Sequence, residues 1–248
     1  MLESILLTST RINTFAGQAP LTNASGFFFE REGRLFLVTS RHVLANPPTG
    51  HFPDRIEIEL HIDPENIAKS TGFSIPLYRD GASLWRQGLD GAGAIDVGVI
   101  EIDRAALPPS TVFRAFTPDN LALPDGGVEI GAPVLVICFP LGFHDTLHHL
   151  PVARGAVIAS SFGLRFQGQG YFLTDARTHR GASGAPVVMR IRADEAGPNG
   201  LPTVANWRLL GVHSSRLDVG ARDVDLDEAL GLNCAWYANI LMTLTGLA

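Results

Sequence analysis

The apolar residues of this chain arrive in short runs, and each run stops at a glycine, a proline or a charged turn. The chain carries 26 Gly and 16 Pro in 248 residues, so long helices have little room to form. The runs themselves read as strands. Gly26-Phe27-Phe28-Phe29-Glu30 and Arg34-Leu35-Phe36-Leu37-Val38-Thr39 flank Arg31-Glu32-Gly33, the pattern of a β-hairpin. Arg55 to Ile62 alternates polar and apolar residues with period two, as a half-buried antiparallel strand does. Val97 to Ile102 is a further strand, and five more are read at Val134–Phe139, Ala153–Ala159, Gly170–Thr174, Pro186–Met189 and Arg208–Val212. Between the two groups lies loosely patterned sequence with Pro108, Pro109, Pro118 and Pro124, the expected crossover between two halves. Residues 192 to 206 read as an exposed loop and residues 239 to 244 as a terminal helix. Many short strands at this spacing argue for β-barrels or a sandwich.

Length and charge narrow the classes of function. A chain of 248 residues makes one large domain or two compact halves with a sizeable core. A net charge of −6 with no basic block argues against a general nucleic-acid binder. Cys138 and Cys234 cannot make a disulfide framework, and their apolar neighbours mark them as buried core thiols. The first residues lack the charged start and apolar run of a signal peptide, and no run is long enough to span a membrane. A soluble, cytoplasmic protein is the expectation.

Three segments carry side chains suited to chemistry. In Gly181-Ala182-Ser183-Gly184-Ala185-Pro186, glycines flank a serine on a tight turn. A nucleophilic serine needs such a turn so that backbone N–H groups can converge on an oxyanion. The bland alternative is an ordinary turn before a strand. His42 follows a strand end in Thr39-Ser40-Arg41-His42-Val43-Leu44, and Asp96 opens the strand of Ala94-Ile95-Asp96-Val97-Gly98. Singly, one reads as a structural histidine and the other as a surface turn aspartate. Together they supply the base that a serine needs and the carboxylate that fixes the tautomer of that base. They occur in the order His, Asp, Ser, with spacings of 54 and 87 residues.

With that order the chain resembles the chymotrypsin-like, trypsin-fold serine peptidases over nearly its whole length. Ala24-Ser25-Gly26 before the hairpin resembles the bacterial branch. Phe139-Pro140-Leu141-Gly142, Arg154-Gly155-Ala156-Val157 and Leu173-Thr174-Asp175-Ala176 are similar to HtrA-type members. Leu210 to Ser214 resembles the strand that pairs with substrate, and Asn233 to Tyr237 before a terminal helix also fits. The resemblance implies an all-β fold of two antiparallel six-stranded β-barrels with a short C-terminal helix. The first barrel is expected over residues 1–115, carrying His42 and Asp96, and the second over 116–248, carrying Ser183 and the specificity pocket. It implies a serine endopeptidase that acts on protein or peptide through an acyl-enzyme. Ser183 is then the nucleophile, His42 the base and later the acid, and Asp96 the residue that orients His42. Backbone N–H groups of Gly181 and Ser183 form the oxyanion hole, and Ser214 hydrogen-bonds Asp96. No metal or organic cofactor is implied.

The departures are specific. The family usually carries Asp or Asn where Ala182 stands, and often Gly where Ala185 stands. Without an acid at position 182, activation through a salt bridge to a freed N-terminus is not expected. No C-terminal PDZ domain of the HtrA kind is expected either. These two alanines motivate the alternative of a catalytically inactive trypsin-fold binding module, and an esterase with the same triad is a third reading. A cytoplasmic peptidase also needs restraint, through narrow specificity, a displaced loop or a regulatory partner protein encoded nearby.

The pocket walls in the family come from the residues before the serine and from the substrate-pairing strand. Here these are Ala176–Arg180 and Val212–Arg216, so Thr178, His213, Ser214, Ser215 and Arg216 are the candidate substrate-binding residues. Thr178 with His213 resembles the glutamyl endopeptidases, which implies an acidic P1 side chain. Residues 176 to 190 agree, holding Arg177, Arg180 and Arg190 and no acid. The competing reading has these arginines in solvent and His213 packed in its strand. Weaker groupings are read as loops: His144, Asp145, His148 and His149 rather than a metal site, Gly91-Ala92-Gly93 rather than a dinucleotide fingerprint, and Asp223, Asp225, Asp227 and Glu228 rather than a calcium loop.

Overall fold

Turn chemistry sets the first hairpin. In this computed structural model, which describes residues 2–122, 127–191, 204–214 and 231–246, Glu32 and Gly33 both have positive φ, 52° and 75°. Two such residues in a row make a turn whose twist matches antiparallel strands. It joins β2 (Ala19–Arg31) to β3 (Arg34–Thr39) with Arg31 opposite Arg34 and Phe29 opposite Phe36. The run Phe27-Phe28-Phe29 is apolar without alternation because both faces of β2 are covered. Phe27 and Phe29 enter a core shared by the two halves of the molecule, while Phe28 faces the core of the first half.

The first half is a sheet of β1 (Ser9–Ala16), β2, β3, β4 (Arg55–His61), β5 (Ser70–Pro76), β8 (Trp85–Asp90) and β9 (Gly93–Ile102). Their order is β5-β4-β1-β2-β3-β9-β8. This corrects the expectation of a closed six-stranded barrel here: the sheet has seven strands, and β5 and β8 end it without pairing to each other. The short hairpin of β6 (Tyr78–Arg79) and β7 (Ala82–Ser83) lies between them in sequence. β5 buries only Ile75 and ends on Pro76, which has no N–H for a further ladder. Gly91 and Ala92 make the turn between β8 and β9, and Gly93 opens β9 opposite Asp90.

The second half closes fully. β10 (Pro133–Cys138), β11 (Val152–Ile158), β12 (Tyr171–Asp175), β13 (Pro186–Arg190), β14 (Trp207–Ser214) and β15 (Leu232–Tyr237) form a barrel in the order β10-β11-β12-β15-β14-β13. The all-β trypsin-like class with a short C-terminal helix is what the structure has. A short helix α1 (Arg41–Leu44) follows β3, and α2 (Ile240–Leu244) ends the chain. α2 leaves the second half but buries Leu241 and Leu244 in the shared core, and Arg86 on β8 donates to the Gly246 carbonyl at 2.7 Å.

The proline-bearing crossover is anchored. Phe116 is completely buried and meets the Phe27 ring edge-on at 5.7 Å. Its carbonyl accepts the Glu30 N–H at 2.7 Å and its N–H donates to Phe28 at 3.0 Å. Burying one such ring contributes roughly 1.5–3 kcal/mol. Pro124, the 192–203 part of the expected loop and the acidic run at 223–228 lie outside the described residues.

Candidate active site

Asp96 is the meeting point of three elements. It lies near the start of β9, and its Oδ1 accepts the backbone N–H of His42 at 2.9 Å. That N–H belongs to the first turn of α1, where no intrahelical partner exists. The His42 ring Nδ1–H donates to Asp96 Oδ2 at 2.7 Å, and the Ser214 hydroxyl donates to the same oxygen at 2.8 Å. A carboxylate can only accept, so neutral His42 carries its proton on Nδ1 and exposes a lone pair at Nε2. Burial works against the Asp96 charge, but the bonds from His42 and Ser214 prevail and hold its carboxyl below the usual range. Gly98 makes the approach of α1 possible. A Cβ there would lie 2.7 Å from Leu44 Cδ1, so a larger residue would displace the buried Leu44 side chain that packs α1 on β9.

The serine turn presses against the same region from the second half. Gly184 has φ +85°, and a Cβ on it would meet Thr39 Oγ1 at 2.2 Å and the Ser25 carbonyl at 2.3 Å. Only glycine fits there. The His213 carbonyl accepts the Gly184 N–H at 2.8 Å and the Ser40 hydroxyl at 3.2 Å. One strand thereby holds both the turn after Ser183 and the residue before α1. Ser183 is buried, and its carbonyl accepts the Ser25 N–H at 3.0 Å. Ala182 and Ala185 are completely buried in an apolar cluster with Val134, Val136 and Val187, so the missing acid is replaced by packing.

The pocket residues are partly brought together. His213 is completely buried, and neither ring nitrogen has a hydrogen-bond partner among the described residues. Burial, helped by the neighbouring His42, lowers its pKa to about 4, which keeps the ring neutral. Thr178 donates its hydroxyl to Asn233 Oδ1 at 2.6 Å, while the Asn233 amide donates to the carbonyls of Ala176 and Gly231. Arg177 and Arg180 are exposed, and Arg190 lies over the Trp207 ring at 5.8 Å. Ser215 and Arg216 lie outside the described residues.

The remaining histidine candidates make local contacts within one loop. His144 Nδ1 lies 2.6 Å from the Gly142 carbonyl and His148 Nδ1 2.6 Å from Asp145 Oδ2, while His149 stacks on His144. Cys138 and Cys234 are buried free thiols, pushed up to about 12 chiefly by desolvation. Among the described residues no helix is long and apolar enough to cross a membrane. Sequence reasoning gave no role to Ser25, Ser40 or Gly98. Only Ser25 carried a signal, in the Ala24-Ser25-Gly26 segment before the hairpin.

Fold and site together define a two-lobed β protein with a His–Asp pair at the junction of its lobes. The trypsin-like peptidase domain family matches residues 24–191, more than half of the chain, and the chain belongs to that family. Among solved structures it is similar to a serine endoprotease from Yersinia pestis, with 15% identity, a TM-score of 0.54, 97% of this chain and 62% of that chain. It is also similar to the active form of the Rv3671c protease from M. tuberculosis, with 15% identity, a TM-score of 0.50, 98% of this chain and 82% of that chain. At that identity the likeness speaks for the fold, and the chain spans under two thirds of the Yersinia protein's resolved length. No curated protein matches its sequence.

Proposed function

We propose that the chain is a serine endopeptidase that uses His42, Asp96 and Ser183 as its triad. The observation that carries this reading is the convergence on Asp96 of the His42 ring, the His42 N–H and the Ser214 hydroxyl. These groups come from α1, β9 and β14, and a structural aspartate needs no such set. In the proposed reaction Ser183 Oγ attacks the scissile carbonyl while His42 Nε2 takes its proton. His42 then returns that proton to the leaving amine, and water repeats the sequence on the acyl-enzyme. Asp96 keeps the ring in the required tautomer and stabilises the imidazolium. The N–H groups of Gly181 and Ser183 receive the developing oxyanion. The test is labelling by a fluorophosphonate. The wild type should label at Ser183 and cleave peptides, and Ser183→Ala should do neither while melting at nearly the same temperature. A folded wild type that fails to label would favour the inactive binding module, and ester turnover without peptide cleavage would favour the esterase.

A finer reading concerns P1. The buried His213 ring, whose nitrogens have no partner among the described residues, favours a substrate side chain that supplies one, since such a group otherwise costs about 1–3 kcal/mol. An acidic P1 residue is the proposed occupant: once the atoms that cover the ring move aside, its carboxylate accepts an N–H from His213 and competes with Asn233 for the Thr178 hydroxyl. Cytoplasmic action and restraint by a partner protein remain part of this proposal.

A further inference from the structure

One buried hydroxyl joins the two halves at the nucleophile turn. Ser25 sits on β2, in the first half, and is completely buried. Its Oγ donates to the Gly181 carbonyl at 2.7 Å and accepts the Phe139 N–H at 3.0 Å. Its own N–H donates to the Ser183 carbonyl at 3.0 Å, and its carbonyl accepts Thr39 Oγ1 at 2.8 Å. Resting on the peptidase reading above, we propose that Ser25 is a positioning residue that fixes the oxyanion-binding N–H groups of Gly181 and Ser183 from across the lobe junction.

Peptide planarity supplies the link. In a trans peptide the carbonyl and the N–H point in opposite directions. The Arg180 carbonyl is held by the Leu141 N–H at 2.5 Å and the Ala182 carbonyl by the Ala185 N–H at 3.0 Å. The N–H groups of Gly181 and Ser183, on those same two peptides, therefore point away from these partners. The intervening carbonyls, of Gly181 and Ser183, are both held by Ser25. All four carbonyls from 180 to 183 thus have fixed directions, and Ser25 supplies half of the anchors. Crowding confines the turn further. A Cβ on Gly181, which has φ +90°, would lie 2.5 Å from the Phe139 carbonyl.

Ala182 makes this clamp necessary. It is completely buried among apolar side chains, so no ion pair at that position can hold the turn. The Ser25 bonds form within the folded chain and require no new terminus. The turn is thereby set for catalysis as soon as the two halves pack.

Ser25→Ala should remove both bonds of the hydroxyl and let the Gly181 peptide drift. Per active site titrated to completion with a fluorophosphonate, kcat should fall roughly ten- to a hundredfold while KM changes by less than about threefold. A peptide boronate, which is tetrahedral when bound, should lose affinity by a similar factor, and a product peptide should not. Ser25→Cys keeps a side chain of similar size with a weaker donor. It should show a smaller loss of the same kind, and is read alone if Ser25→Ala does not fold. A lower melting temperature with unchanged kcat per titrated site and unchanged boronate affinity would overturn the proposal. A wild type that neither labels nor cleaves would overturn the peptidase reading and this inference with it. An active wild type beside unaffected variants overturns this inference alone.

Discussion

The backbone N–H and the ring Nδ1 of His42 bind opposite oxygens of Asp96, at 2.9 and 2.7 Å. One carboxylate thus starts the short helix α1 and orients the ring that the helix carries. Position and tautomer of His42 depend on the same side chain.

Asp96→Asn should separate those two tasks. An amide accepts at one oxygen only, so it can serve the His42 N–H or the ring, but not both. If its NH2 faces Nδ1, the ring must shift its proton to Nε2 and cannot accept from Ser183. We expect kcat to fall on the order of 10⁴, the loss seen for this change in triads of this kind. Asp90 and Asp103 cannot substitute. Asp90 is bound to Arg165, and Asp103 accepts the Ala105 N–H. Steady-state kinetics with a peptide substrate decide the matter, and an unchanged kcat would remove Asp96 from the mechanism.

His213 should make stability depend on pH. Its ring is neutral in the folded state, lowered to about 4 by burial, and titrates near 6.5 when unfolded. Between these values the unfolded chain binds more protons, so stability is complete above about pH 6.5 and declines as pH falls toward 4. The loss should approach about 3 kcal/mol at the acid end. Urea unfolding of Ser183→Ala, chosen to prevent self-digestion, should show this slope between pH 7 and 4.5. Adding His213→Val should reduce it, leaving the share of His61, whose pKa burial also lowers. Asp96, held below its usual range, contributes its own loss only at lower pH, as its carboxylate is protonated.

The sequence showed most of the strands that bury an apolar face, though β1 and β15 were not read as strands, and the residues that carry unusual chemistry. It was silent where neither signal exists. β5 reads Ser-Thr-Gly-Phe-Ser-Ile-Pro and buries one side chain, so no periodicity marks it. β8, with Arg86, Gln87 and Gly88 at its centre, is equally quiet. His42, Asp96 and Ser183 stood out because serine chemistry would use that combination, and the structure joins the first two directly. The bonds of Ser25 and Ser40 were not, since their partners are backbone carbonyls of residues 156 and 173 positions away. A backbone acceptor leaves no mark on residue identity.

Gly184→Ala tests whether the lobe junction is as tight as its contacts imply. The new methyl would meet Thr39 Oγ1 at 2.2 Å and backbone of Ser25 and Ser40 within 3.0 Å, at a φ of +85°. Strain and overpacking together should cost about 3 kcal/mol or more. Gly81→Ala is the control: its φ is +77° but no atom lies within 4 Å, so only the backbone cost of roughly 1 kcal/mol applies. Urea midpoints of the two variants should differ clearly, and equal midpoints would mean that the junction yields without cost.

Among the described residues nothing bonds the ring nitrogens of His213. A glutamate side chain loses its hydration on entering the pocket and must find donors there. His213 supplies one N–H while neutral, and a bound carboxylate favours its protonated form, so binding should take up a proton. Thr178 adds its hydroxyl only by leaving Asn233 Oδ1. Cleavage after Glu should therefore exceed cleavage after Leu, Lys or Phe, and the excess should shrink as pH rises. His213→Ala should lower kcat/KM for Glu substrates by about 1.5–3 kcal/mol, the worth of a hydrogen bond to a charged group. Substrates with an apolar P1 residue should change little, because they make no use of the imidazole. A P1-varied peptide library, read at two pH values with wild type and His213→Ala side by side, measures all of this. Wild-type preference for Leu, Val or Ala would leave the ring as a packing element of β14, and its two nitrogens would then be a stability cost with no return in specificity.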